Sequence, residues 1–224
     1  MQVKKNIGGL DVVEVGQGEN CVVLFHGYGA DCRDLAPIGE FASITNTKWI
    51  FPNGILQGPG GFGRAWFPID ENRVLDVNAK NSWHKARPAG LDDARDKALN
   101  FLTTLQIPLE KIILGGFSQG AMLACDLAFM LPPICGLVVM SGTLLDEANW
   151  EVSASSRKGR FWQCHGRYDE ILPYQGAEKL FGLLNTSEWR GEFKSFDGGH
   201  EIPPTQLRQL KETLEHWTMA DRSD

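Results

Sequence analysis

The pentapeptide Gly116-Phe117-Ser118-Gln119-Gly120 stands between a continuously apolar run, Ile112-Ile113-Leu114, and an apolar segment that begins at Ala121. A run of that kind suits a strand covered on both faces, and Ala121 to Met130 suits a short buried helix. Joining the two within the six residues Gly115 to Gly120 demands a sharp turn. Such a turn leaves no room for side chains two positions either side of the serine, which accounts for Gly116 and Gly120. It also lifts the Ser118 hydroxyl above the sheet edge, at a helix N-terminus that stabilises developing negative charge. A glycine-rich turn with a capping serine would use the same residues without any chemistry, so the rest of the chain has to decide.

Further apolar runs recur, each closed by glycine. Val22-Val23-Leu24-Phe25 ends at His26-Gly27, Gly136 to Met140 at Ser141-Gly142, and Phe161 to Cys164 at His165-Gly166. Trp49 to Phe51 and Glu192 to Phe196 are weaker strand candidates, and Val12 to Val15 suits an antiparallel edge. Between them lie helical patterns at Leu91–Leu105, Ala177–Leu184 and Pro204–Met219. Strands alternating with helices predict an α/β fold with a mostly parallel central sheet and helices on both faces. Two segments, Pro52 to Gly90 and Ser141 to Arg160, read as long loops that line a site, and neither has the length of a cap domain.

Composition narrows the function classes. The 224 residues carry 22 Lys+Arg against 28 Asp+Glu, a net charge of −6, which argues against a nucleic-acid partner. The length suits one domain over residues 1–224. No apolar run approaches the ~20 residues of a membrane-spanning helix. The five cysteines (Cys21, Cys32, Cys125, Cys135 and Cys164) form no C-x-x-C pair, and the start has no apolar leader, so a reducing cytoplasm is expected. No His/Asp/Glu cluster has metal-ligand spacing, so neither metal nor organic cofactor is expected.

A serine nucleophile needs a base, and the base needs an orienting acid. Of five histidines, His200 follows the last strand candidate in Asp197-Gly198-Gly199-His200, downstream of Ser118, where a flexible loop can bring an imidazole across the sheet edge. Asp146, Asp169 and Asp197 lie between the two. Asp197 belongs to the turn that holds His200. Asp169 follows the second strand after the serine, the usual place for the acid when the order is Ser…Asp…His, and Asp146 is the second choice. An oxyanion hole needs two backbone amides: Gln119 supplies one, and Tyr28, in the His26-Gly27-Tyr28-Gly29 turn, is the natural second.

These strings together resemble the phospholipase/carboxylesterase family of α/β hydrolases, which contains bacterial serine carboxylesterases and acyl-protein thioesterases. Leu24 to Asp31, Ile112 to Gly120, Cys164-His165-Gly166 with Asp169 and Pro173, and Gly198 to Glu201 carry the likeness, and Gly115 to Gly120 is its most specific part. The resemblance implies a cap-free α/β-hydrolase fold, a triad of Ser118, Asp169 and His200, and an acyl pocket near Trp66, Phe67 and Leu144. Tyr28 stands where the family usually has leucine, and Glu170 where proline is common. The expected activity is hydrolysis of carboxylic esters of short to medium acyl groups through an acyl-enzyme on Ser118. A lysophospholipase or acyl-protein thioesterase is the alternative within the class, and a non-catalytic ligand-binding protein of the same fold the alternative outside it. A nucleophilic cysteine of the dienelactone-hydrolase kind is disfavoured by Ser118. The expected partner is a small-molecule acyl ester or thioester, with no integral membrane association and room for a homodimer.

Overall fold

The structure, a computed structural model, describes residues 2–69 and 82–220. Eight strands form one sheet: β1 (Val3–Ile7), β2 (Leu10–Gln17), β3 (Asn20–Phe25), β4 (Thr47–Pro52), β7 (Ile112–Phe117), β8 (Gly136–Met140), β9 (Lys158–Gly166) and β10 (Glu188–Phe196). Their order is β1-β2-β4-β3-β7-β8-β9-β10. The β1–β2 and β2–β4 pairs are antiparallel, and every pair from β4 to β10 is parallel. A separate ribbon pairs β5 (Leu56–Gln57) with β6 (Arg64–Ala65).

The central strands are buried on both faces, which explains their unbroken apolar runs. Along β3, Cys21, Val23 and Phe25 join one core cluster, while Val22 and Leu24 join the other. On the first face pack α2 (Leu91–Thr104), α3 (Gln119–Ala128), α4 (Glu147–Ser155) and α5 (Tyr174–Thr186). On the second pack α1 (Ala36–Ala42) and α6 (Pro204–Ala220). From β3 the chain crosses to β4 on one side, and from β4 it returns past β3 to β7 on the other. The strand order therefore reverses at the β3–β7 boundary, where open α/β sheets form their ligand crevice. Ser118 leaves β7 and His26 leaves β3 at this boundary.

Three elements differ from the sequence reading. The antiparallel strand at Val12–Val15 is interior, because β1 covers it; β1 itself is polar and mostly exposed, so it has no hydrophobic signature. Within the expected 141–160 loop lies α4, where only Trp150 and Ala154, one turn apart, are buried. The expected 52–90 loop holds β5, β6 and short 3-10 turns and, among the described residues, no helical cap.

A buried ion pair links the first face to the segment that leads into α2. Arg87 donates through both terminal nitrogens to Asp126 of α3, at 2.8 and 2.7 Å, and its Nε reaches Asp92 at 3.0 Å. Asp126 also accepts from the Trp150 indole at 2.9 Å. Removing one member of a buried pair costs about 3–5 kcal/mol, and less where the survivor keeps another partner and some solvent. Asp126→Asn is therefore expected to lower unfolding free energy by about 2–3 kcal/mol, read from urea melts, and Arg87→Met on that background to cost little more.

Candidate active site

The turn between β7 and α3 places Ser118 at φ 55°, ψ −119°, a backbone region that non-glycine residues rarely adopt and that costs of order 1–3 kcal/mol. Gly116 and Gly120 permit the turn. A Cβ on Gly120 would stand 2.0 Å from the Phe25 carbonyl oxygen, and one on Gly116 2.5 Å from the Gly120 carbonyl carbon. The Ser118 amide donates to Met140 O at 2.9 Å, which fixes the turn to β8.

From the loop after β10, His200 reaches back across the sheet edge. Its Nε2 lies 2.8 Å from Ser118 Oγ and its Nδ1 2.6 Å from Asp169 Oδ2. The Phe117 ring supports the imidazole, with centroids 4.8 Å apart. Asp169, in the turn after β9, has its other oxygen held by the amides of Ile171 and Leu172 at 2.9 and 2.8 Å. Burial pushes the Asp169 carboxyl up. Hydrogen bonds from His165 and His200, the His200 charge and the Leu172 amide outweigh it and hold the carboxyl well below the usual range. Asp146 lies elsewhere: it stands at the N-terminus of α4, accepts from Asn149 at 2.8 Å and faces Arg87 at 3.6 Å. Asp197 is exposed and faces Arg167.

Two histidines that the sequence places at the ends of apolar runs, His26 and His165, prove to be buried supports. His26 Nδ1–H donates to Gly27 O at 2.7 Å, and its Nε2 accepts from the Gly54 amide at 2.9 Å. Both ring atoms are thus committed to the neutral form, and burial pushes its pKa down. His165 Nε2 must carry a hydrogen, because Leu172 O, 2.8 Å away, can only accept; the same nitrogen lies 3.2 Å from Asp169 Oδ2. The signal for both was present, since each stands at the end of an apolar run and precedes glycine, but a single chain read in order names no partner for either.

Gln119 follows the serine, and its side chain is clamped: Oε1 accepts from the Trp66 amide at 2.9 Å and Nε2 donates to Phe67 O at 2.7 Å. The Trp66 indole donates to His26 O at 2.9 Å. Gly29 N and Arg64 O, 2.9 Å apart, tie the turn after β3 to β6. Among the described residues no acceptor takes up the backbone amide of Tyr28 or of Gln119.

A cleft of about 200 Å³ opens over Ser118 and His200. Its apolar wall comes from Ile69, Trp83, Phe117, Met122, Ile171 and Leu172. This corrects the expected pocket. Trp66, Phe67 and Leu144 are at most 1% exposed and belong to the core beneath. The two aromatics face inward because the Trp66 indole finds its acceptor there and both backbones serve Gln119. Among the described residues, no group of three or more His, Cys, Asp or Glu side chains could hold a metal ion. Nor is any described helix long and apolar enough to cross a membrane.

A family model described as Phospholipase/Carboxylesterase matches residues 12–218. The chain belongs to this family. Among curated proteins it is 25% identical, over 204 residues, to acyl-protein thioesterase 1 homolog 1 of Dictyostelium discoideum, covering 83% of this chain and 85% of that one. It is 24% identical over 212 residues to a probable carboxylesterase of Oryza sativa subsp. japonica, covering 90% and 79%. Among solved structures, esterase PE8 superposes with a TM-score of 0.77 at 28% identity, covering 91% of this chain and 96% of that one. Acyl-protein thioesterase 2 of Zea mays shares the fold, with a TM-score of 0.71 at 22% identity over 92% and 98%. The α/β-hydrolase fold and the hydrolase class follow for this member of the phospholipase/carboxylesterase family.

The depressed Asp169 carboxyl links folding to acid. A carboxyl lowered on folding stabilises the protein above its unfolded value, near 3.8, and loses that contribution as pH falls toward the folded value. The stability gap between wild type and Asp169→Asn should therefore be constant above about pH 5 and narrow as pH drops below about 4, read from denaturant melts across that range.

Proposed function

We propose that the chain is a serine esterase for short to medium acyl groups, working through an acyl-enzyme on Ser118. One observation carries this reading: an unbroken hydrogen-bond path from Ser118 Oγ to His200 to Asp169, at 2.8 and 2.6 Å, at the floor of an apolar cleft. Ser118 Oγ attacks the ester carbonyl carbon and passes its proton to His200 Nε2. Asp169 receives the Nδ1–H, fixes the tautomer and offsets the imidazolium charge. The free amides of Tyr28 and Gln119 stabilise the oxyanion. As the tetrahedral intermediate collapses, the C–O bond to the alcohol breaks and the leaving oxygen takes the proton from His200. Water, deprotonated by His200, then releases the acid and returns the serine.

The cleft supports the shorter acyl range. Its volume of about 200 Å³ is below the roughly 300–1,000 Å³ of sites that enclose drug-sized ligands. A thioesterase or lysophospholipase acting on long chains would need the same triad with a longer wall. Five buried free thiols fit a cytoplasmic setting.

A fluorophosphonate probe and a series of p-nitrophenyl acyl esters test the reading. Ser118→Ala should lose both labelling and turnover, by on the order of a millionfold in kcat, with its melting curve kept. Labelling of the alanine variant, or turnover above a tenth of wild type, would make this site a bystander. Rates that still climb at palmitoyl length would favour the thioesterase reading.

Tyr28 lines the same cleft, so the hydroxyl and the amide have to be separated. Tyr28→Phe removes only the hydroxyl and should stay within about tenfold of wild-type kcat, since loss of a true oxyanion donor costs about 10²–10³. A hundredfold fall at unchanged thermal stability would assign the donation to the phenol instead.

A further inference from the structure

Among the described residues the wall of the catalytic cleft contains one carboxylate, Asp34, from the turn that leads into α1. Among the described residues its carboxylate accepts no hydrogen bond and pairs with no cation. The neighbouring Arg33 is already spent: its Nε lies 3.2 and 3.1 Å from the two oxygens of Asp31. Nor does Asp34 cap the helix it precedes. The N-terminal position of α1 is Leu35, and no side-chain bond closes that end. Its one hydrogen bond among the described residues is through the backbone, Asp34 N to Asp31 O at 3.0 Å. Partial enclosure and the Asp31 charge push its carboxyl above the ordinary value, as befits an anion without compensation.

The remaining described lining sharpens the point. Among the described residues no lysine or arginine lines the cleft, and the aromatic residues Tyr28, Trp83 and Phe117 do. An uncompensated carboxylate beside aromatic faces is the chemistry that attracts ammonium groups, through charge and through the ring quadrupole. The same field repels a substrate carboxylate. We propose that Asp34 makes this cleft selective for esters that carry an ammonium group, with its carboxylate facing the charge and the rings of Tyr28 and Trp83 flanking it. This rests on the esterase reading above, and it adds the chemical class of substrate.

The experiment compares isosteres that differ only in charge, measured as ratios so that each neutral ester is the reference for its partner. One pair carries the charge on the alcohol: butyrylcholine against 3,3-dimethylbutyl butyrate. The other carries it on the acyl chain: phenyl 4-(trimethylammonio)butanoate against phenyl 5,5-dimethylhexanoate. In one of the two pairs the wild-type enzyme should favour the cation by about tenfold in kcat/KM, and Asp34→Asn should bring that ratio below about twofold. Which pair responds tells which side of the cleft Asp34 serves. A ratio near one in both pairs for the wild type, or a preference that survives in Asp34→Asn, overturns the proposal while leaving the esterase intact. Hydrolysis of none of the four esters, with Ser118 unlabelled by fluorophosphonate, overturns the esterase reading and this one with it.

Discussion

With a Cβ on Gly120 the helix start would lie 2.0 Å from the carbonyl oxygen of Phe25, so α3 and the end of β3 meet through bare backbone. That contact sets the distance between the two loops that leave the sheet at its switch point. The turn after β7 must then pass Ser118 through a strained conformation, and the turn after β3 must bring Gly27 and Tyr28 alongside it. Strain of this kind persists only where the surroundings over-determine it. Here they do so through the Met140 carbonyl, the two glycines and an almost wholly buried α3.

The same economy explains how far the sequence could be read. A Gly-x-Ser-x-Gly turn between two apolar segments has few structural solutions, so the serine turn and the mostly parallel sheet were legible. The chain order then pointed to His200 and Asp169, and the structure hydrogen-bonds them to each other and to Ser118. What escaped detection lacked periodicity. The edge strand β1 has polar side chains on both faces, and α4 buries two residues against seven that are not buried. Hydrophobic patterning reports burial, and elements that bury little send little signal.

The acyl wall was misread for a different reason. Aromatic residues in a glycine-rich loop beside a nucleophile look like substrate contacts, yet Trp66 and Phe67 are core. An indole N–H must find an acceptor when buried, and His26 O, two residues from Tyr28, supplied it. Ile171 and Leu172, which do face the cleft, were in plain view two and three residues after Asp169. Their amides hold the Asp169 carboxylate, so one short turn both positions Asp169 and walls the cleft.

The grip of Gln119 on Trp66 and Phe67 has a consequence for how this scaffold can diversify. The residue that follows Ser118 fastens, through its side chain, the backbone of a segment some fifty positions away. Up to Phe67 that segment is bound by the geometry of the serine turn, and an insertion or deletion there would be felt at Ser118. Beyond Phe67 this particular tether ends, yet Ile69 and Trp83 line the cleft. Descendants of such a chain can therefore exchange the material that walls the cleft while inheriting the Gln119 anchor unchanged.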